Sequence, residues 1–266
     1  MRRSLGPAYA AAMEQMGMDL GEPATVSTEE AEEPFRTSVT GLVTYATCPK
    51  RFFWSEIDRL PRRPSPAARR GVELHRKIEL HNRGAMALEY EADDLYDVAP
   101  DEGSERVAGA FDTYLGSRFA DTRPAFIEVP FDLELDAGRI RGRIDAIYTE
   151  GSSWEIVEFK SGRKKPDPAR RVQLEAYAVA ATDVRFGPEA PDELRVTFAY
   201  FGNGLEEVSE PVDDAWLETA RSHLDEIATV ASGDEFIATP SPACHACDFL
   251  RFCEAGKEFV EATAQP

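Results

Sequence analysis

The stretch GRIDAIYTEGSSWEIVEFKSG, residues 142–162, constrains the fold more tightly than any other part of the chain. Two arms rich in apolar and β-branched residues flank Gly151-Ser152, the pattern of a β-hairpin. A hairpin requires alternation and a turn. It does not require Asp145 within the first arm, nor Glu158 and Lys160 two residues apart on the second. Side chains at i and i+2 leave a strand on the same face, so Glu158 and Lys160 point together, and closing the turn brings Asp145 towards them. Two carboxylates and an ammonium on one sheet face make a poor core and a suitable cation site. The plainer alternative is an exposed ion pair between one acid and Lys160 or Arg143, which accounts for two of these residues but not for all.

The segments around this hairpin set the architecture. Residues 125–135, 139–148 and 154–160 read as three strands, and 194–201 and 205–212 as a later pair. Helices are expected over 38–48, opened by Ser38 or Thr40 and followed by an aromatic-rich continuation. Others are expected over about 67–82 with Gly84 beyond the end, over 103–119, over 167–181 with Asp167 as N-cap and Pro168 at the first position, and over 213–233. Helices, three strands, helix, two strands, helix is the order of an α/β or α+β domain with a central mixed sheet flanked by helices. Residues 1–36, closing on the acidic STEEAEEP, read as an N-terminal extension or linker, 37–260 as the domain and 261–266 as a tail.

Further residues along the chain bear on the chemistry. At 100° per residue, His75 falls inside the apolar arc that Ala68, Gly71, Val72 and Ile78 make on their helix. It is either a core histidine bonded to backbone or a metal ligand. Gln173 and Tyr177, spaced i and i+4, project side by side from the helix after Lys160; packing is the alternative for both. Glu128, on the strand before the hairpin, could approach the same site, but reads as an exposed strand residue and stays outside the catalytic set. Finally, Cys244, Cys247 and Cys253 form C-x2-C-x5-C near the C-terminus, with Cys48 far upstream. Four thiolates fit a structural zinc or an iron–sulfur cluster equally well.

Charge bears on the ligand. The chain has 49 acidic and 30 basic residues, a net charge of −19, which argues against a nucleic-acid partner until its distribution is considered. Seven basic residues and one acid lie between Arg59 and Lys77, and six basic residues and one acid between Lys160 and Arg171. Because fields decay over about 10 Å in salt, such local stretches can still bind phosphate. No apolar run approaches the ~18 residues of a membrane span, and the N-terminus lacks the apolar core of a secretion signal. The sequence therefore reads as that of a cytoplasmic protein with no membrane contact. Four cysteines in such a chain point to a metal site or free thiols rather than a disulfide framework.

In order along the chain stand GVELH (71–75), GRID (142–145), EFK (158–160) and QLEAY (173–177). Together they resemble the PD-(D/E)XK nuclease superfamily over roughly residues 37–257. More narrowly they are similar to its RecB-like branch, which includes the AddB nucleases and the CRISPR-associated RecB-like exonucleases. The resemblance implies a restriction-endonuclease-like core and a DNA nuclease that uses Mg²⁺ or Mn²⁺. Asp145 and Glu158 would be metal ligands, joined by His75 and the backbone carbonyl of Phe159. Lys160 would orient water and stabilise charge, and Gln173 and Tyr177 would contact the DNA backbone or scissile phosphate. It also implies a [4Fe–4S] cluster on Cys48, Cys244, Cys247 and Cys253 that joins the two ends of the domain. No GxxxxGK[ST] motif occurs, so the implied context is double-strand-break repair or recombination beside a helicase, covalently linked or in trans. The alternatives are an exonuclease of CRISPR adaptation, a non-catalytic DNA-binding module held by a metal cluster, and an acidic zinc-stapled interaction domain.

Overall fold

Phe35–Ser38 forms a short strand, β1, where the sequence pattern places the end of a linker. The side chain of Ser38 then accepts the Gly41 N–H and caps helix α1, Val39–Thr47. Cys48 breaks that helix with an extended backbone, Pro49 starts the short α2 (Pro49–Phe52), and a π-helical turn follows over Phe53–Ile57. Helix α3 spans Pro66–Arg83 and ends at Gly84. Helix α4 (Glu102–Leu115) and the single turn α5 (Arg118–Asp121) replace the one helix expected over 103–119. Strands β2 (Phe126–Leu135), β3 (Gly138–Glu150) and β4 (Ser153–Lys160) come next. A 3₁₀ turn over Pro168–Arg170 leads into helix α6 (Arg171–Asp183). Strands β5 (Glu193–Tyr200) and β6 (Glu206–Val212), helix α7 (Asp214–Ala231) and helix α8 (Glu254–Thr263) complete the domain.

This computed structural model describes residues 35–62, 65–84, 102–164, 168–183, 186 and 190–264, all within one compact unit. The proposed cap Asp167 and residues 1–34 of the N-terminal extension lie outside the described residues. None of the described helices is long and apolar enough to cross a membrane.

The long strand β3 holds the mixed six-stranded sheet together. Antiparallel β2 runs along one of its edges, from Gly138 to Ile147. Its other edge is shared. Parallel β1 takes Gly138–Arg141 and antiparallel β4 takes Ala146–Glu150, so residues 142–145 have no strand beside them there. Beyond β4 lie parallel β5 and antiparallel β6. One face of the sheet packs on α1, α6 and α7 through residues such as Leu42, Ile144, Ile156, Leu174 and Leu224. The other packs on α3 and α4 through Leu74, Ile78, Tyr114, Val157 and Phe159.

The faces of α3 differ from the sequence expectation. Leu74 and Ile78 are buried, whereas Ala68 is exposed and Val72 is 72% exposed. The helix is rotated so that the Leu74/Ile78 stripe meets the sheet, with His75 at its margin. Docking against Phe159 and Tyr114 outweighs the helix's own weak apolar arc, because burying the larger side chains removes more apolar area from water.

Candidate metal and catalytic site

At the unpaired edge of β3 the ladder with β4 ends at Ala146↔Val157, and Glu158, Phe159 and Lys160 continue beside β5 alone. The carboxylate of Asp145 fills the gap: its Oδ2 accepts the backbone N–H of Phe159 at 2.8 Å. Regular alternation also lapses here. Ile144 and Ile147 both pack towards α6, and Ala146 packs towards α3. Opposite, Glu128 adopts φ +49°, a left-handed conformation that costs a non-glycine residue about 1–2 kcal/mol. Such strain persists where surrounding structure fixes it and gathers at functional sites. Gly142, the glycine of GRID, makes room for the Phe131 ring, since a Cβ there would lie 2.2 Å from it.

The structure brings the hairpin acids and His75 together. One ligand atom from each of His75, Asp145 and Glu158 lies within 4.8 Å of the other two. His75 Nδ1 is 3.2 Å from Asp145 Oδ1 and 3.4 Å from Glu128 Oε1, and its Nε2–H donates to the Phe159 carbonyl at 2.9 Å. The carbonyl expected among the ligands is thus already bonded by the imidazole, with its second lone pair left over. Asp145 and Glu158 are 5% and 3% exposed. Glu158 Oε1 accepts from Lys160 Nζ at 2.5 Å, while its buried Oε2 has no hydrogen-bond partner among the described residues.

Burial and mutual charge perturb all three groups. Burial, with the nearby Glu158 charge, pushes the Asp145 carboxyl up to about 7. Burial would also raise Glu158, but the charges of Lys160 and His75 outweigh it and hold that carboxyl below its ordinary value. His75 is desolvated, which alone would lower it; the facing Asp145, Glu128 and Glu158 carboxylates overcome this and raise it to about 11. An orphaned buried carboxylate oxygen, two desolvated acids and an imidazole within reach of one point form a donor set suited to a hard divalent cation.

The Gln173–Tyr177 pair is tied to Lys160. Gln173 Oε1 accepts from Lys160 Nζ at 2.8 Å, and its Nε2 donates to the Tyr177 hydroxyl at 2.8 Å. Tyr177 is 3% exposed, with its ring edge-on to Phe131 at 5.8 Å. The ring is covered, and its hydroxyl accepts from Gln173, which in turn accepts from Lys160. Glu128, set aside on sequence as an exposed strand residue, has a side chain only 12% exposed and reaches His75 Nδ1 and, at 3.6 Å, Arg143 Nη1. Strand alternation gave no signal for it, because the φ reversal at Glu128 changes the face it points to.

The four cysteines, distant in sequence, line one small cavity together with Arg51 and Trp54. Cys48 comes from the end of α1. Cys244, Cys247 and Cys253 come from two 3₁₀ turns before α8. All four are free thiols. Backbone N–H groups of Thr239, Ser241 and Gly256 donate to Cys48, Cys244 and Cys253 Sγ at 3.3–3.4 Å. Burial pushes the Cys247 thiol up, aided by Cys244 and Cys48 and opposed by the Phe249 N–H and Arg51.

Comparison with known proteins accords with this geometry. The chain shares 30% identity over 142 residues with the Gene 69 protein of Mycobacterium phage L5, a match covering 51% of this chain and 46% of that protein. It therefore spans about half the length of that relative. The fold resembles a crystal structure from Eubacterium rectale described as a candidate exonuclease, with a TM-score of 0.52 at 13% identity, over 87% of this chain and 93% of the other. A model of the PD-(D/E)XK nuclease superfamily matches residues 36–254, a span that holds every residue converging on His75 and all four cysteines. The chain belongs to the PD-(D/E)XK nuclease superfamily.

Proposed function

We propose that the protein is a Mg²⁺- or Mn²⁺-dependent DNA nuclease, acting as an exonuclease on DNA ends. The observation that carries this reading is the convergence of His75, Asp145 and the orphaned Glu158 oxygen beside a lysine fixed by two acceptors. Asp145, Glu158 and the Phe159 carbonyl would hold the cation, with His75 as a further ligand or the group that orients Asp145. When bound, the cation supplies charge to the scissile phosphate and lowers the pKa of water. Glu158 and Gln173 take two of the three Lys160 donors, which leaves one for the attacking water or a phosphate oxygen. That ammonium stabilises negative charge as it develops. Glu128 and Asp145 together fix the His75 ring, and Tyr177 fixes Gln173. The intact pair of acids and lysine favours catalysis over a binding-only module.

The cysteine cavity extends the proposal to a structural [4Fe–4S] cluster that staples α1 to the C-terminal turns. A single zinc holds thiolates at about 2.3 Å, and so holds neighbouring sulfurs close together. All four cysteines line one cavity, which suits a metal group there, and the resemblance to the iron–sulfur branch favours the larger one. Double-strand-break repair or recombination is the proposed setting, with a helicase supplying any unwinding because the chain carries no GxxxxGK[ST] motif. An exonuclease of CRISPR adaptation would use the same site.

The test is incubation of the protein, purified without oxygen, with end-labelled single- and double-stranded DNA. Mg²⁺, Mn²⁺ or chelator is present, with Asp145→Ala and Lys160→Ala alongside. Metal-dependent loss of label from one end, abolished by both substitutions, is expected. Binding without cleavage under every metal condition would replace the nuclease reading with a DNA-binding module.

A further inference from the structure

The cavity lined by the four cysteines is uneven in charge. Among the described residues around it, Arg51 is the only basic one and none is acidic. The Nε of Arg51 is buried and has no hydrogen-bond partner among the described residues. A buried charged donor left unpaired is costly. Arg62, Arg118 and Arg171 avoid that cost through carboxylates: Glu56 for the first, Glu155 and Glu207 for the second, Glu175 and Glu210 for the third.

The local backbone explains why Arg51, and not the lysine before it, faces the cavity. Pro49 opens a single helical turn, closed by the Phe52 N–H donating to the Cys48 carbonyl at 3.1 Å. Residues three apart share one side of such a turn, so Arg51 returns to the side of Cys48. Lys50 is turned elsewhere, with its Nζ 4.8 Å from the Phe53 ring centre and 5.4 Å from that of Trp54. Trp54 lies 5.7 Å from Phe249, ring centre to ring centre, and lines the cavity together with Leu250. Apolar walls of this kind lower the local dielectric and strengthen the effect of a charge placed inside them.

Four bound thiolates leave a net formal charge of about −2 around one zinc or around an oxidised [4Fe–4S] core alike. Backbone N–H groups already donate to Cys48, Cys244 and Cys253, but a peptide dipole brings no full charge. The chain as a whole makes the demand greater, with a net charge of −19. Arg51 is near enough to Cys247 for its charge to oppose the burial that raises that thiol. Resting on the reading of this cavity as a metal site, we propose that Arg51 compensates the charge of the bound thiolates, with Cys247 as its first partner. Zinc and an iron–sulfur core make the same demand, so this role does not depend on which is bound. Partners of metal ligands govern how firmly a metal is held, and charge beside the sulfurs of a cluster governs its potential.

The test uses the full chain purified without oxygen and reads the metal, not cleavage. Transfer of iron, or of zinc if the protein is colourless, to an excess of chromogenic chelator is followed in wild type, Arg51→Met, Arg51→Lys and Lys50→Gln. Arg51→Met keeps an apolar stem and loses the charge, and is expected to release metal at least tenfold faster than wild type. Arg51→Lys keeps the charge without the fork of donors and is expected to fall between the two. Lys50→Gln removes the same charge one residue away and is expected to match wild type. In iron-loaded protein a mediated redox titration gives a second readout. Arg51→Met is expected to shift the reduction equilibrium at least tenfold towards the oxidised cluster, a midpoint lower by about 59 mV for one electron. Release from Arg51→Met at the wild-type rate, or equally fast release from Lys50→Gln, would overturn the role of Arg51 while leaving the metal site in place. If Arg51→Met does not fold, a wild-type rate in Arg51→Lys overturns it equally. Zinc in place of iron would remove the iron–sulfur reading and leave the release test intact. Protein that takes up neither iron with sulfide nor zinc would remove the metal site and the role of Arg51 together.

Discussion

Asp145 Oδ2 accepts the Phe159 N–H where the β3–β4 ladder stops, so one carboxylate both continues the sheet and belongs to the candidate metal site. The two roles are separable by substitution. Asp145→Asn keeps an acceptor for Phe159 and removes the buried charge. It is expected to abolish cleavage, by on the order of 10³-fold or more, while melting at or above the wild-type temperature in chelator. Asp145→Ala is expected to be equally inactive and less stable by about 1–3 kcal/mol, the cost of an orphaned buried N–H. Thermal melts of the two variants beside an activity assay check this; equal stability would mean that the bond contributes nothing.

Glu128 should matter although it was not legible as a site residue. It faces His75 Nδ1 from a strained φ of +49°. Glu128→Gln is expected to raise the metal concentration needed for half-maximal cleavage by about 10–100-fold, the usual effect of removing a partner that orients a ligand. A metal titration of the variant that overlays the wild type would exclude Glu128 from the site.

Tyr177→Phe probes positioning against DNA contact. Removing the hydroxyl frees Gln173 and loosens Lys160. The expected result is a kcat reduced by about 10-fold or more, with KM for DNA unchanged. A raised KM at constant kcat would instead assign Tyr177 to substrate binding.

Metal dependence of stability should follow pH. In chelator, Asp145 is raised to about 7 and so holds a proton that the unfolded chain, with an ordinary value of about 3.9, releases earlier. That contribution favours the folded state at low pH and is lost as pH rises towards 7. Raised to about 11, His75 stabilises the folded protein fully below about 6.5 and loses that contribution as pH rises towards 11. Metal binding must displace the Asp145 proton, so the increase in Tm on adding Mn²⁺ is expected to grow from pH 6 to pH 8 and to vanish in Asp145→Asn. A metal-induced shift independent of pH would contradict it.

Cysteine substitution tests the proposed cluster. Protein purified without oxygen is expected to be brown and to carry about four irons per chain. Cys48→Ser is expected to lose the colour and to unfold at markedly lower temperature, since among the four cysteines only Cys48 comes from the end of α1. Colourless protein containing about one zinc would replace the iron–sulfur assignment.

Much of this molecule follows from residues that are neighbours in the chain. The strand alternation of β2 to β6, the Ser38 cap of α1, the Gly84 end of α3 and the same-face placement of Glu158 and Lys160 are set by backbone periods of two and 3.6 residues. The residues Asp145, Glu158, Lys160 and His75 could therefore be named from spacing. Tertiary packing decided what those periods leave open. The rotation of α3 was fixed by docking Leu74 and Ile78, which exposed Val72. Strand β1 exists because β3 offers it an edge, not because four residues have a strong strand pattern. Glu128 turns inward through a backbone reversal opposite Asp145, Tyr177 is buried by Phe131 across the space that Gly142 leaves, and the four thiols meet only once α1 and the C-terminal turns have packed. Local sequence determines which face a residue shares with its neighbours, because the backbone geometry repeats. Which faces then meet depends on the summed burial of residues far apart in sequence, and that sum exists only in the folded chain.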